Sequence, residues 1–107
     1  MRVTWSPLAN EQVDDAVAYI AQDNQSAAVE WLERLLDRVR SLASFPDSGR
    51  MVPETQREYI REIIVSPYRV MYRRKDDFVE IAAIGMRRGS STRRRSLRRV
   101  GAATTSA

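Results

Sequence analysis

The hydrophobic period of this chain changes once, and that change limits what the chain can fold into. Up to Phe45 the apolar residues recur at helical spacing, and from Tyr59 onward they alternate, as in half-buried strands. Val13, Ala16, Val17 and Ile20 fall at i, i+3, i+4 and i+7, with Glu11, Gln12, Asp14 and Asp15 elsewhere around the helix. Ser6-Pro7 supplies a capping hydroxyl and a proline suited to the first helical position, so a helix is predicted over roughly residues 7–22. Asp23-Asn24-Gln25-Ser26 breaks the pattern with turn and cap formers. A second helix follows through Ala28, Leu32, Leu35, Leu36, Val39, Leu42 and Ala43. It ends at Phe45-Pro46, because proline drives its predecessor out of the α region. The two helices are expected to form a hairpin.

Pro46 to about residue 57 reads as turn and loop. Beyond it Tyr59–Val65, Tyr68–Arg73 and Phe78–Met86 are rich in β-branched and aromatic residues, separated by Ser66-Pro67 and by Arg74-Lys75-Asp76-Asp77. An antiparallel meander is the simplest arrangement, with Arg2–Trp5 as a short strand ahead of the helices. The fold class is therefore α+β: an N-terminal strand and a helical hairpin packed on a twisted antiparallel sheet. A two-residue turn at Ser66-Pro67 sets Val65 against Tyr68, Ile63 against Val70 and Arg61 against Tyr72. If Tyr72 opposes Val79, the core face collects Ile63, Val65, Val70, Tyr72, Val79, Ile81 and Ala83. The other face then holds Ile60, Glu62, Ile64, Arg69, Met71, Arg73, Phe78, Glu80, Ala82 and Ile84. A slip of one residue would exchange the two sets.

Composition excludes several chemistries. The chain has 107 residues with no cysteine and no histidine, which removes disulfides, thiolate nucleophiles, histidine bases and the usual zinc ligands. No metal or cofactor is expected. No apolar run approaches the roughly 20 residues that span a bilayer, and no secretory h-region follows Met1, so a cytoplasmic protein without a membrane partner is expected. Charge is uneven along the chain. Residues 1–83 carry 11 basic and 14 acidic side chains, whereas residues 84–107 carry seven arginines and no acid. The chain is read as a domain over 1–90 and a basic, mobile tail over 91–107 with one helical turn near Leu97. Such a tail suits an anion such as a phosphate backbone, an acidic protein partner or a membrane surface, or is simply solvated.

The ordered residues Trp5-Ser6-Pro7, Tyr19-Ile20, Asp23-Asn24, Ala27-Ala28, Phe45-Pro46, Gly49-Arg50, Pro53-Glu54, Arg61-Glu62-Ile63, Tyr68-Arg69-Val70 and Tyr72-Arg73 resemble the RelE/ParE toxin superfamily. These are the toxins of type II toxin–antitoxin systems, also called plasmid stabilisation proteins. The resemblance spans roughly residues 2–88 and implies the same helical hairpin on a sheet. It implies a growth-inhibiting toxin, a cognate antitoxin as partner and a toxin–antitoxin hetero-oligomer. It leaves the target open. RelE-like members cleave mRNA on the ribosome by attack of a ribose 2′-hydroxyl, which calls for a base, an acid and cations. Arg69 matches the family's strand arginine and Arg87 the arginine that ends its last strand, with Arg61 and Arg88 in support. The family's C-terminal tyrosine and its histidine have no counterpart here.

ParE-like members trap DNA gyrase on cleaved DNA and need a binding surface, so the missing proton-transfer groups favour that activity. A non-toxic antitoxin-binding co-repressor is a third possibility. The surface expected to meet antitoxin or target comprises Arg69, Met71, Arg73, Phe78, Arg87, Arg88, Arg93, Arg94 and Arg95. Against this, Arg69 and Arg73 could form only an ion-pair ladder with Glu62 and Glu80, each exposed pair contributing about 0–1 kcal/mol. Trp5 and Trp31 are read as packing residues.

Overall fold

The computed structural model describes residues 1–87. Its order is β1 (Arg2–Trp5), α1 (Pro7–Asp23), α2 (Gln25–Ser41), β2 (Arg50–Met51), β3 (Ile60–Val65), β4 (Tyr68–Arg74) and β5 (Phe78–Met86). The predicted caps are present. Ser6 Oγ accepts from the Ala9 N–H at 3.0 Å, and Asn24 Oδ1 accepts from the Ala27 N–H at 3.0 Å. Asn24 thus closes α1 and opens α2 at a single residue, which leaves the hairpin almost no linker. Neither helix is long and apolar enough to cross a membrane.

The helices cover one face of a five-stranded sheet of order β1-β5-β4-β3-β2. The β3–β4 register is the expected one, with Val65 opposite Tyr68, Ile63 opposite Val70 and Arg61 opposite Tyr72. Three expectations are corrected. The sheet is mixed rather than antiparallel, because β1 pairs in parallel with β5, Arg2 against Phe78 through Trp5 against Ile81. No turn links these strands, so no local signal sets their direction. Secondly, part of the expected loop forms β2, with Arg50 opposite Glu62 and Met51 opposite Arg61.

The third correction concerns β5. Tyr72 faces Ile81, not Val79, and Met71 faces Ala83, so Ala82 is an extra residue in the ladder. Residues beyond this bulge exchange faces. Ile84 is buried in the core and Ala83 sits beside Met71 on the other side. The backbone groups around the bulge find partners from α1 and its cap. Ser6 Oγ donates to the Ala82 carbonyl at 2.8 Å, and the Ile84 N–H donates to Gln12 Oε1 at 2.7 Å. Satisfying these groups makes the bulge tolerable in a part-buried position.

Trp31, Leu35, Val39 and Leu42 from the second helical region meet Ile63, Val65, Val70, Tyr72, Val79, Ile81 and Ile84 from the sheet. Trp31 is buried, its ring centroid lies 5.1 Å from that of Tyr68, and its indole N–H donates to the Val65 carbonyl at 3.0 Å. Trp31 therefore ties α2 to the end of β3 through packing and one hydrogen bond.

Candidate functional site

The sheet face away from the helices carries the charged residues, and they are organised around Glu62. The Glu62 side chain is 1% exposed, although it lies on the outer face of β3. A carboxylate so buried requires charged partners, and here it has two. Arg50 donates from Nε at 2.7 Å and approaches with Nη2 at 2.6 Å, both to Oε2, while Arg69 Nη1 donates to Oε1 at 3.0 Å. Arg69 Nη1 also stands 3.3 Å from Glu54 Oε2. Strand pairing produces this geometry, since β2 sets Arg50 directly opposite Glu62.

Arg50, Glu62, Ile64, Arg69 and Arg87 line a hollow of about 330 Å³. Arg87 follows the last residue of β5, and its backbone N–H is fixed by the Pro67 carbonyl at 3.0 Å. Two of the expected arginines, Arg69 and Arg87, are thus brought to one place. Arg61 is not. Its side chain turns to the loop before β2, where Nη1 donates to the Gly49 carbonyl at 2.8 Å and Nε lies 3.7 Å from Asp47 Oδ1. The reason is the alternation of β3, which sends Arg61 and Glu62 to opposite faces.

Elsewhere on the outer face Arg73 donates to Glu80 Oε1 from Nε at 3.1 Å and from Nη2 at 2.7 Å. Met71 is half-buried, and Phe78 lies under the Arg2 guanidinium, 5.3 Å from ring centroid to the carbon. The anticipated ladder of Arg69 and Arg73 with Glu62 and Glu80 is therefore present, but its two rungs differ. Arg73–Glu80 is solvated, whereas Arg69–Glu62 is enclosed. Arg88, Arg93, Arg94 and Arg95, with the turn expected near Leu97, lie outside the described residues. Arg50 escaped the sequence reading because it sits in a stretch without periodicity, where only the pairing of β2 reveals its partner.

Among the described residues no tyrosine or lysine lines this hollow, and the carboxylates beside it, Glu62 and Glu54, are paired with arginine. Tyr72 faces the core, where its hydroxyl accepts from the Gly49 N–H and donates to the Pro46 carbonyl. Burial raises its pKa, against the opposing effects of the Gly49 hydrogen bond and of Arg61. The Tyr68 hydroxyl is pushed up to about 12, first by burial and then by Tyr19 and Asp15. Both phenols stay protonated near neutrality. A larger hollow of about 640 Å³ lies at the turn of the helical hairpin, between Tyr19, Asp23, Trp31, Arg34 and Pro67. Its charged lining is Asp23, Glu30 and Arg34, one cation against two acids.

A two-helix hairpin over a mixed sheet, with an arginine cluster on the opposite face, defines a small α+β protein built around a surface of guanidinium groups. Comparison with known proteins places it further. The sequence profile of the ParE toxin of type II toxin–antitoxin system, parDE, matches residues 3–90. A relative from Sinorhizobium fredii, named "Putative toxin Y4kP", is 33% identical over 85 residues, covering 78% of this chain and 84% of its own. A chain of the chromosomal ParDE TA system from P. aeruginosa superposes with a TM-score of 0.65 at 18% identity, over 80% of this chain and 95% of that one, a likeness of fold. This chain belongs to the ParE toxin family of type II toxin–antitoxin systems.

Proposed function

We propose that this chain is the growth-inhibiting member of a toxin–antitoxin pair that acts in the cytoplasm on DNA gyrase, caught with cleaved DNA, until a cognate antitoxin covers it. The choice of target rests on one observation: among the described residues the arginine hollow supplies cations, and the two carboxylates beside it, Glu62 and Glu54, are both held in ion pairs with guanidinium groups. Cleavage of RNA by a 2′-hydroxyl needs a base and an acid as well. Glu62 is the carboxylate on the hollow's wall, and each of its oxygens already accepts from a guanidinium. Arginine itself holds its proton too tightly to serve as a base. A gyrase poison needs a complementary surface, which an arginine-rich sheet face provides.

The same face suits an antitoxin segment that combines acidic and apolar residues, since Met71 and Phe78 lie among the ion pairs and Met86 is exposed at its end. Such a toxin and antitoxin form a hetero-oligomer. Induced expression in a bacterial host, with pulse labelling of DNA and protein in the first minutes, tests the target. DNA synthesis is expected to fail first, and purified chain should linearise supercoiled DNA only when gyrase is present. Early collapse of translation, with mRNA cut inside codons, would sink the gyrase reading in favour of an mRNA interferase. Normal growth would identify a non-toxic co-repressor.

A further inference from the structure

We propose that Arg50, Arg69 and Arg87 form a seat for a single phosphodiester of a DNA backbone, with Glu62 acting as a built-in counter-ion that spaces the arginines around it. The proposal extends the gyrase reading, because DNA held at the enzyme would supply the phosphodiester.

Each guanidinium has five N–H groups in a planar fork. Arg50 directs Nε and Nη2 to Glu62, and Arg69 directs Nη1 to Glu62 and Glu54. Arg69 Nε is buried and has no hydrogen-bond acceptor. Arg87, on the rim, makes no ion pair with any described residue, although its backbone is anchored to Pro67. Three forks with donors to spare therefore border one hollow.

Charge points the same way. Among the described residues, three guanidinium groups against the Glu62 and Glu54 carboxylates leave one positive charge, which matches the single negative charge of a phosphodiester. Part of the seat is also held in advance. This holds for Arg69, whose side chain is 16% exposed against a Glu62 that is 1% exposed, whereas Arg50 and Arg87 are exposed and would be ordered by the anion.

Shape separates a phosphodiester from a carboxylate. Glu62 shows what a planar carboxylate does here: its two oxygens are satisfied by two arginines from the sheet. A phosphodiester carries its two charged oxygens on a tetrahedral phosphorus, and each accepts from more than one donor, so forks arriving from β2, β4 and the end of β5 can share the two. Ile64 completes the wall with an apolar side chain.

The test uses the full chain and a short DNA duplex without gyrase, so that failure of the gyrase reading and failure of this one are separate results. Binding is measured by fluorescence anisotropy across a series of salt concentrations, for the native chain and for Arg50→Gln/Arg87→Gln, two positions whose side chains reach solvent. Loss of one phosphate contact should lower the slope of log affinity against log salt by about 0.9, whatever the rest of the chain contributes. In parallel, the Arg69 Nε–H resonance is followed by NMR, assigned with Arg69→Lys. It should move when duplex is added, and a glutamate-rich peptide at equal charge should leave it in place. An unchanged slope in the double variant overturns the proposal. So does a resonance that responds to the peptide and not to DNA, which would make the hollow a carboxylate site for a protein partner.

Discussion

Tyr72 and Gly49 hold each other in place: the Gly49 N–H donates to Tyr72 Oη at 3.0 Å, and that hydroxyl donates onward to the Pro46 carbonyl at 2.8 Å. The phenol thereby fastens the turn that leads into β2, the strand that delivers Arg50 to Glu62. Tyr72→Phe leaves both backbone groups without this partner and should cost about 1–3 kcal/mol. Gly49→Ala should cost at least as much, because a Cβ there would stand 2.6 Å from both the Glu62 carbonyl oxygen and Tyr72 Oη. Urea denaturation reads both. Midpoints equal to the native one would show that the turn is held by something else.

Alkaline pH should weaken the fold. Tyr68 and Tyr72 both have pKa values raised by burial, that of Tyr68 to about 12 from an ordinary 10.0. Between those values the unfolded chain releases the phenolic proton while the folded chain keeps it. Stability contributed by Tyr68 is therefore whole below pH 10 and declines as pH rises toward 12, by about 1 kcal/mol per pH unit. Tyr68→Phe should flatten part of this decline. A variant as alkali-sensitive as the native chain would exclude Tyr68 as its source.

Two core residues of α2 test the packing of hairpin on sheet. Trp31→Ala and Leu35→Ala remove large buried side chains and should lower stability by about 3–5 and 2–5 kcal/mol respectively. Trp31→Phe keeps most of the volume but loses the bond to the Val65 carbonyl, so a smaller loss of about 1–3 kcal/mol is expected. Thermal melts of the three variants should rank accordingly. Equal effects of Trp31→Phe and Trp31→Ala would mean that the hydrogen bond outweighs the packing.

The two rungs of the outer face should respond differently to truncation. Glu62→Ala takes away the enclosed partner of Arg69, leaves it beside a buried void with the more exposed Glu54, and should cost up to about 3–5 kcal/mol. Arg73→Ala breaks a solvated pair, with side chains 45% and 25% exposed, and should cost less than about 1 kcal/mol. Chemical denaturation in low and high salt checks this. The Arg73 effect should shrink with salt while the Glu62 effect persists.

The sequence alone determined the elements whose signals are local. Helical spacing around Val13–Ile20 and Ala28–Leu42, the caps at Ser6 and Asn24, and alternation through Ile60–Val65 each act within a few residues, as does the turn that puts Val65 opposite Tyr68. The pairing of Arg69 with Glu62 followed from that register, whereas Arg73 came directly opposite Glu80 only through the corrected β4–β5 register. Tertiary structure decided the rest. The parallel approach of β1 to β5 joins residues more than 70 positions apart, and no local pattern encodes its direction. The bulge at Ala82 moved Ile84 inward because the Ser6 hydroxyl and the Gln12 side chain could satisfy backbone groups near it, a compensation supplied by α1 and its cap. Glu62 reads in sequence as one more surface acid. It becomes the enclosed centre of an arginine cluster only because β2 closes over it and brings Arg50, a partner that strand pairing alone could select.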